Sequence, residues 1–427
     1  MPSRLLWRRS ATALGIYASA LLGFLGTIVA ARVLGVREFG LFAIVMAGTG
    51  FFQTLLDLTV EEAVTKYGFR YSTNEDWGRL RRLFSRALSV KAAGAVLAGL
   101  ALAAMAPLAD ALFDADGLTT PLLVAALLPL AQAPEGLAAT ALVLHGRYDV
   151  RAVFLTVSMG LRLAAIAIGA QYGLTETMVA IVVAQVVATV AVGAAGWVAF
   201  RRFPSAAPEP LTRDSREIRS FVLQSSAATG VVSLRTALIP LLLGIVSTPV
   251  QVAFFRAALS PLQGFVILSA PARLVLLTEQ TRDWERGERS VVFDGVRRYS
   301  VRAAAVMAVA LGPLLVWMPD LIELVFTAEF VGAADAARVV LVAAVLQFVF
   351  GWTKSFPVSV GRPNLRVATH GLETLVLVPL VVALGAKWGA EGAAWALLVS
   401  TAVFAVHWTV LFLRLRRQPW VATPVAP

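Results

Sequence analysis

Apolar and polar positions run along this chain in long blocks, not with the two-residue alternation of a half-buried strand. Twelve apolar runs stand out, near residues 11–31, 39–60, 84–108, 119–144, 152–172, 177–200, 220–246, 250–276, 299–318, 335–358, 367–385 and 389–413. Each holds roughly 18 or more residues, enough for a helix to cross the hydrocarbon core of a bilayer. The connectors are short, and none is long enough to hold a soluble catalytic domain. The pattern predicts an all-α polytopic membrane protein with about twelve transmembrane helices, numbered here as spans 1 to 12.

The polar residues between the runs are unevenly distributed. One set of connectors is rich in arginine: Arg79, Arg81, Arg82 and Arg86, then Arg147 and Arg151, Arg201 to Arg219, Arg282 to Arg298, Arg362 and Arg366, and Arg414 to Arg417. The alternate set leans acidic, with Asp110, Asp114, Asp116, Glu176, Asp320, Glu323 and Glu329. Basic connectors stay on the cytoplasmic side, so both termini are expected in the cytoplasm. Arg32, Arg37, Arg338 and Lys387 break the pattern on the outer side. Arg4, Arg8 and Arg9 precede the first run as in a signal peptide. That run is longer than a signal's apolar region, so it is read as an uncleaved first span.

Composition supports the membrane reading. Of 427 residues, 58% are hydrophobic and only 15% charged, against roughly 25% charged in soluble domains. The net charge of +11 would suggest nucleic acid in a soluble protein. Here the bases sit beside spans, where anionic lipid accounts for them, and no nucleic-acid partner is expected. There are no cysteines and three histidines, which lie far apart without ligand spacing, so no metal site and no cofactor are expected. No P-loop, serine or metal motif is present, and the chain is not read as an enzyme.

The two halves echo one another. "G-R-Y-D-V-R" from Gly146 and "G-R-P-N-L-R" from Gly361 are 215 positions apart, as are Gln132 and Gln347. "Q-Y-G" at Gln171 matches "K-W-G" at Lys387 with an offset of 216. A nearly constant offset over several connectors predicts parallel repeats of six spans each, of the kind found in transporters. The organisation expected is an N-terminal lobe, 1–200, a cytoplasmic linker, 201–219, and a C-terminal lobe, 220–427. Three prolines in the linker favour an extended, semi-rigid spacer.

Charge inside a span is the strongest functional signal in such a chain, because a base at the bilayer centre costs about 2.5–3.5 kcal/mol. Arg162 falls near the middle of span 5, Arg235 past the middle of span 7, Arg256 about 9 Å into span 8 at 1.5 Å per residue, and Lys354 near the inner end of span 10. Arg32 closes span 1 on the outside. Arg32 and Lys354 could equally snorkel to the interface, and Arg162 could equally pair with a buried carboxylate. Arg235 and Arg256 have no acid nearby in sequence. Among acids, Asp57, Glu61 and Glu62 close span 2, Glu135 lies in span 4, and Glu373 follows His370 by one helical turn on the same face. His370 and Glu373 read either as a proton relay or as a structural hydrogen bond. Glu373 and Asp57 are the candidate coupling acids.

Several stretches resemble a known family. "A-A-R-V-L-G-V-R-E-F-G-L-F" (Ala30 to Phe42), "F-T-A-E-F-V-G-A-A" (Phe326 to Ala334), "G-R-P-N-L-R" and "W-G-A-E-G-A-A-W-A" (Trp388 to Ala396) are similar, in order and spacing, to Wzx-type polysaccharide flippases of the multidrug/oligosaccharidyl-lipid/polysaccharide (MOP) superfamily. Thr59 and Thr327 stand where the family usually has glycine. The resemblance implies a two-lobed, V-shaped, MATE-like transporter with a pseudo-two-fold axis, spans 1, 2, 7 and 8 lining its central cavity. It implies alternating access and a polyprenyl-diphosphate-linked oligosaccharide as cargo, moved for cell-surface polysaccharide biosynthesis. Arg32, Arg235 and Arg256 would then face the diphosphate, with Arg162 and Lys354 as further cationic candidates. Membrane lipids are the implied surroundings, H+ or Na+ the candidate coupling ion, and a monomer the expected state, working beside other polysaccharide-assembly proteins. Two alternatives stay open on the residues alone: a cation-coupled drug exporter of the same fold, which would favour acids in the cavity, and a non-transporting envelope scaffold, which would tolerate loss of the central charges.

Overall fold

The computed structural model describes the backbone of residues 2–417 apart from 57, 213, 361 and 363, and side chains apart from those at 2–11, 228, 231–236, 266–275, 277, 278, 285 and 358 as well. Every regular element among the described residues is helical. Seven helices are long and apolar enough to cross a membrane. Two of these, Pro2–Leu56 and Asn364–Arg417, are each a pair of helices joined at a glycine with non-helical backbone, Gly35 and Gly389, so the seven amount to nine spans. The stretches Ser215–Val246, Pro249–Ala258 with Ser260–Glu285, and Ala334–Val349 with the turns after it occupy spans 7, 8 and 10. The count of twelve and the all-α class stand.

The repeat is written into backbone geometry. Helix Glu135–Leu144 ends with Gly146 at φ +68°, the left-handed position that glycine takes without a Cβ clash. Gly146 N donates to Val143 O at 2.8 Å and Arg147 N to Leu142 O at 2.9 Å, the paired bonds of a Schellman cap. In the second copy Gly361 lies outside the described residues. Arg362 N nevertheless donates to Pro357 O at 2.8 Å, 215 positions beyond the Arg147–Leu142 bond. The two G-R turns therefore close their helices with the same long cap bond. Gly173 (φ +121°) and Gly389 (φ +55°), offset by 216, turn the chain into spans 6 and 12. A polar bridge repeats too: Gln132 Nε2 donates to Gln185 Oε1 at 3.1 Å, and Gln347 Nε2 to Thr401 Oγ1 at 3.4 Å.

One difference from the sequence reading concerns span 2. It ends at Leu56, and a separate helix, Val60–Thr73, begins three residues after Asp57. Glu61 and Glu62 occupy its first turn, where the helix dipole favours carboxylates. The apolar run to Val60 hides this break, because Leu58 and Val60 read as span while the backbone between them has left the helix.

The chain packs as two compact units, Met1–Ala257 with Ile322–Gly332, and Ala258–Leu321 with Ala333–Pro427. A core of the first gathers Tyr67, Tyr71, Leu80, Leu83 and Leu137 around helix Val60–Thr73. The corresponding aromatic core of the second is built on Trp352, Phe356, Trp408 and Phe293, with Trp352 and Trp408 edge to face at 5.6 Å between centroids.

The proline-rich connector has no regular structure over 204–211, and it is strapped to the first unit. Arg81 Nη2 donates to Phe203 O at 3.1 Å and to Pro204 O at 3.2 Å, and Glu209 N to Gly78 O at 3.2 Å. Tyr71 Oη donates to Asp214 Oδ2 at 2.7 Å, and burial together with that carboxylate pushes the phenol pKa up. Arg70, 3.2 Å from Glu217, holds that carboxyl below its usual range.

Candidate functional site

Two arginines in the first unit carry the most unusual environment in the described chain. Arg162 projects from helix Tyr148–Gly169. Its Nη2 lies 3.7 Å from the Met46 sulfur, a weak acceptor for a guanidinium. Arg256 occupies the last turn of helix Pro249–Ala258, which stops ahead of Pro261, a residue that supplies no N–H to continue it. The Arg256 Nε is buried with no hydrogen-bond partner among the described residues. Neither guanidinium has an ion-pair partner among the described residues. Both side chains are half-buried, and cations inside spans without a described carboxylate beside them would attract an anion.

Of the other singled-out bases, Arg32 is engaged elsewhere in the first unit. Arg32 donates through Nε to Val325 O at 2.9 Å and through Nη2 to Leu324 O. It thereby satisfies the final carbonyls of helix Met318–Val325, where a cation also complements the dipole. Lys354 closes the 3-10 turn Gly351–Lys354 in the second unit and is exposed. Arg235 lies on helix Ser215–Val246, and its side chain falls outside the described residues. So does Asp57. His370 Nδ1 and Glu373 Oε2 meet at 3.0 Å on span 11 in the second unit. Glu373 is 2% exposed, and the His370 ring stacks on Phe404 at 5.0 Å.

Three features escaped the sequence reading. Lys91, in "S-V-K-A-A-G" within span 3, forms a buried ion pair with Glu61, Nζ to Oε1 at 2.7 Å. It was visible as a base inside an apolar run. The second is a chain of amides. Gln53 Nε2 donates to Gln132 Oε1 at 2.8 Å, Gln132 Nε2 to Gln185 Oε1 at 3.1 Å, and Gln185 Nε2 to Glu135 Oε2 at 2.7 Å. The third is a cavity of about 210 Å³ whose polar walls are Gln53, Thr54, Thr59, Gln132, Ser226 and Thr229. Thr59 Oγ1 lies 3.0 Å from Ser226 Oγ, and Ser225 Oγ donates to Glu62. Only the residue types of these features are legible in sequence; which amides meet depends on how spans 2, 4 and 6 pack. No group of three or more His, Cys, Asp or Glu able to hold a metal occurs among the described residues.

Comparison with known proteins fits this picture. A family model described as "Polysaccharide biosynthesis protein" matches residues 9–276. Among solved structures, an inward-facing multidrug resistance MATE family transporter of the MOP superfamily is 15% identical, with 95% of this chain and 96% of that chain covered at a TM-score of 0.74. The lipid II flippase MurJ in an inward closed conformation is 13% identical, with 96% and 88% covered at 0.74. A MOP superfamily transporter from Pyrococcus furiosus, described by the reverse polarity of its binding pocket, is 15% identical, with 96% and 95% covered at 0.56. No curated protein sequence matches the chain. At these identities the structures establish the fold, that of MOP transporters, while the family model covers well over half of the sequence. The chain belongs to the polysaccharide biosynthesis protein family and is built on the MOP transporter fold.

Proposed function

We propose that this chain is a flippase, not an enzyme, that carries a polyprenyl-diphosphate-linked oligosaccharide from the inner to the outer leaflet of the bacterial cytoplasmic membrane. The observation that carries the reading is the Arg162 and Arg256 pair. A diphosphate is a dense anion that guanidinium groups grip with paired hydrogen bonds, and it supplies the charge these two lack. A drug-type cation would meet repulsion at the same place. The lipid tail stays in the bilayer while the head group crosses against polar side chains. Alternating access then moves the lobes 1–200 and 220–427 about the linker 201–219, with both termini inside, as the arginine-rich connectors favour. The His370 and Glu373 pair is the proposed coupling site, where proton exchange would change a buried contact.

Reconstitution tests the reading. In proteoliposomes carrying a fluorescent polyprenyl-diphosphate disaccharide, leaflet transfer is measured by the access of an impermeant quencher. Arg162→Gln and Arg256→Gln each remove a charged hydrogen bond worth about 1.5–3 kcal/mol, so each is expected to weaken capture roughly 10- to 100-fold. A folded double variant that transfers the lipid at the wild-type rate refutes the proposal.

A further inference from the structure

We infer that the cavity between Gln53, Gln132 and the span 7 hydroxyls of Ser226 and Thr229 is a carbohydrate subsite, which holds the first sugars attached to the diphosphate. The inference rests on the flippase reading and adds to it a location and a chemistry for the glycan.

The lining decides the ligand class. Six polar side chains, two amides and four hydroxyls, face about 210 Å³. None of the described lining residues is charged, so a phosphate would find no counter-charge among them. An apolar group would leave the amides and hydroxyls unsatisfied, at a cost of about 1–3 kcal/mol each. Amides and hydroxyls both donate and accept, and so do sugar hydroxyls. A neutral polyhydroxyl ligand is the class that satisfies them together.

The amide chain prepares this surface. Gln185 uses its carbonyl to accept from Gln132 and its NH2 to donate to Glu135 and, at 3.0 Å, to Thr189 Oγ1. Glu135 accepts from Gln185, Gln185 from Gln132 and Gln132 from Gln53, so the amides run in one direction from the acid to the cavity wall. Gln53 spends one N–H on Gln132. Its Oε1 has no protein partner among the described residues, so the cavity is offered an acceptor and a remaining N–H of fixed identity. The charged groups around Glu135 are themselves engaged. Glu61, from helix Val60–Thr73, packs against Gly136 and is paired with Lys91 of span 3. Span 6 presents the neutral Gln185 and Thr189.

The repeat supplies an internal control. The bridge between spans 4 and 6 recurs between spans 10 and 12 as Gln347 to Thr401, so bridging alone is architectural. At the same offset of 215, Glu135 corresponds to Phe350. The acid is an addition of the first half that the bridge does not need. Placement agrees as well. Met46, touched by Arg162, and Gln53 are seven residues apart on one helix. They share a face, about 10 Å apart along the axis, so a head group held by the arginines has its sugars two helical turns from its phosphates.

The test uses the full chain in lipid nanodiscs and two probes, a polyprenyl diphosphate without sugar and the same lipid bearing a disaccharide begun by a hexose or an N-acetylhexosamine. Binding is read by native mass spectrometry. Wild type is expected to bind at least one glycosylated lipid about tenfold tighter than the bare lipid. Gln53→Leu and Thr229→Val, at the cavity wall and outside the Gln132–Gln185 bridge, should remove that increment and leave the bare lipid unchanged. Arg256→Gln should weaken both lipids alike. Equal loss of both probes in Gln53→Leu, or no increment in wild type for any sugar, overturns the subsite while leaving the arginine-dependent capture of bare lipid in place. Failure of wild type to bind either lipid overturns the subsite and the flippase reading together.

Discussion

Removing the Lys91 ammonium should damage the first unit more than any other single charge deletion. Lys91 and Glu61 meet at 2.7 Å with side chains 9% and 28% exposed. Deleting one member of a buried pair leaves an uncompensated charge and costs about 3–5 kcal/mol. Glu61 keeps partial access to solvent, which places Lys91→Met near the low end, about 3 kcal/mol. Replacing both partners by apolar groups of similar volume relieves the charge, so Lys91→Met with Glu61→Leu should recover most of that loss. Gly136→Ala provides a steric version of the same perturbation, since a Cβ there would collide with Glu61 Oε1. The pair stands behind the proposed sugar cavity: Ala95, one helical turn after Lys91, and Thr59, two residues before Glu61, both line it. Unfolding of the purified variants in mixed detergent–SDS micelles, followed by circular dichroism, gives the double-mutant cycle. A Lys91→Met protein within 0.5 kcal/mol of wild type, or a double variant as unstable as the sum of the singles, refutes the assignment of a buried, mutually dependent pair.

Two further outcomes follow from local geometry. Gly173→Ala and Gly389→Ala force a Cβ into backbone that L-residues avoid, and each should cost about 1–3 kcal/mol in the same unfolding assay, whereas Gly371→Ala, in mid-helix with open space beside it, should be neutral or stabilising. Arg32→Gln breaks the contacts to the Val325 and Leu324 carbonyls and should lower stability by about 1 kcal/mol for an exposed group, while the folded fraction captures polyprenyl diphosphate with wild-type affinity by native mass spectrometry.

What could be read from the chain, and what could not, divides along a physical line. Spans are legible because the bilayer imposes a length and a composition on each helix separately, and the repeat is legible because it preserves connectors at a fixed offset. Arg162 and Arg256 are conspicuous as bases inside apolar runs. Their lack of ion-pair partners among the described residues is a property of packing. Arg32 has the same residue type and nearly the same setting, yet it caps a helix almost three hundred residues away in sequence. Lys91 was legible by the same rule that picked out Arg162 and passed unnoticed because it lies near the arginine-rich entry to span 3. Helix Val60–Thr73 was absorbed into span 2 because Leu58 and Val60 prolong the apolar run past Leu56, where the helix ends. The amide chain has no sequence signature at all. Gln53, Gln132 and Gln185 lie on three spans separated by 79 and 53 positions, and only the packing of those spans sets them in line.

The buried polar groups of the described chain sort by whether the protein completes them, and that sorting carries the functional argument further than residue type does. Lys91 is completed by Glu61, Gln132 by its neighbours on both sides, and Glu373 by His370. Each of these contacts lowers the energy of the empty protein and asks nothing of a ligand. Arg162 and Arg256 are different in kind. Neither has an ion-pair partner among the described residues, so an anion bound there would stabilise this unit in a way that no substitution at the completed pairs can reproduce. The partly completed member is Gln53, whose amide is joined to Glu135 through two intermediates while its carbonyl is left without a protein partner among the described residues. Unfilled charge and unfilled neutral hydrogen-bonding capacity thus occur two helical turns apart on one helix face, and a head group that is anionic at one end and polyhydroxylated at the other answers both.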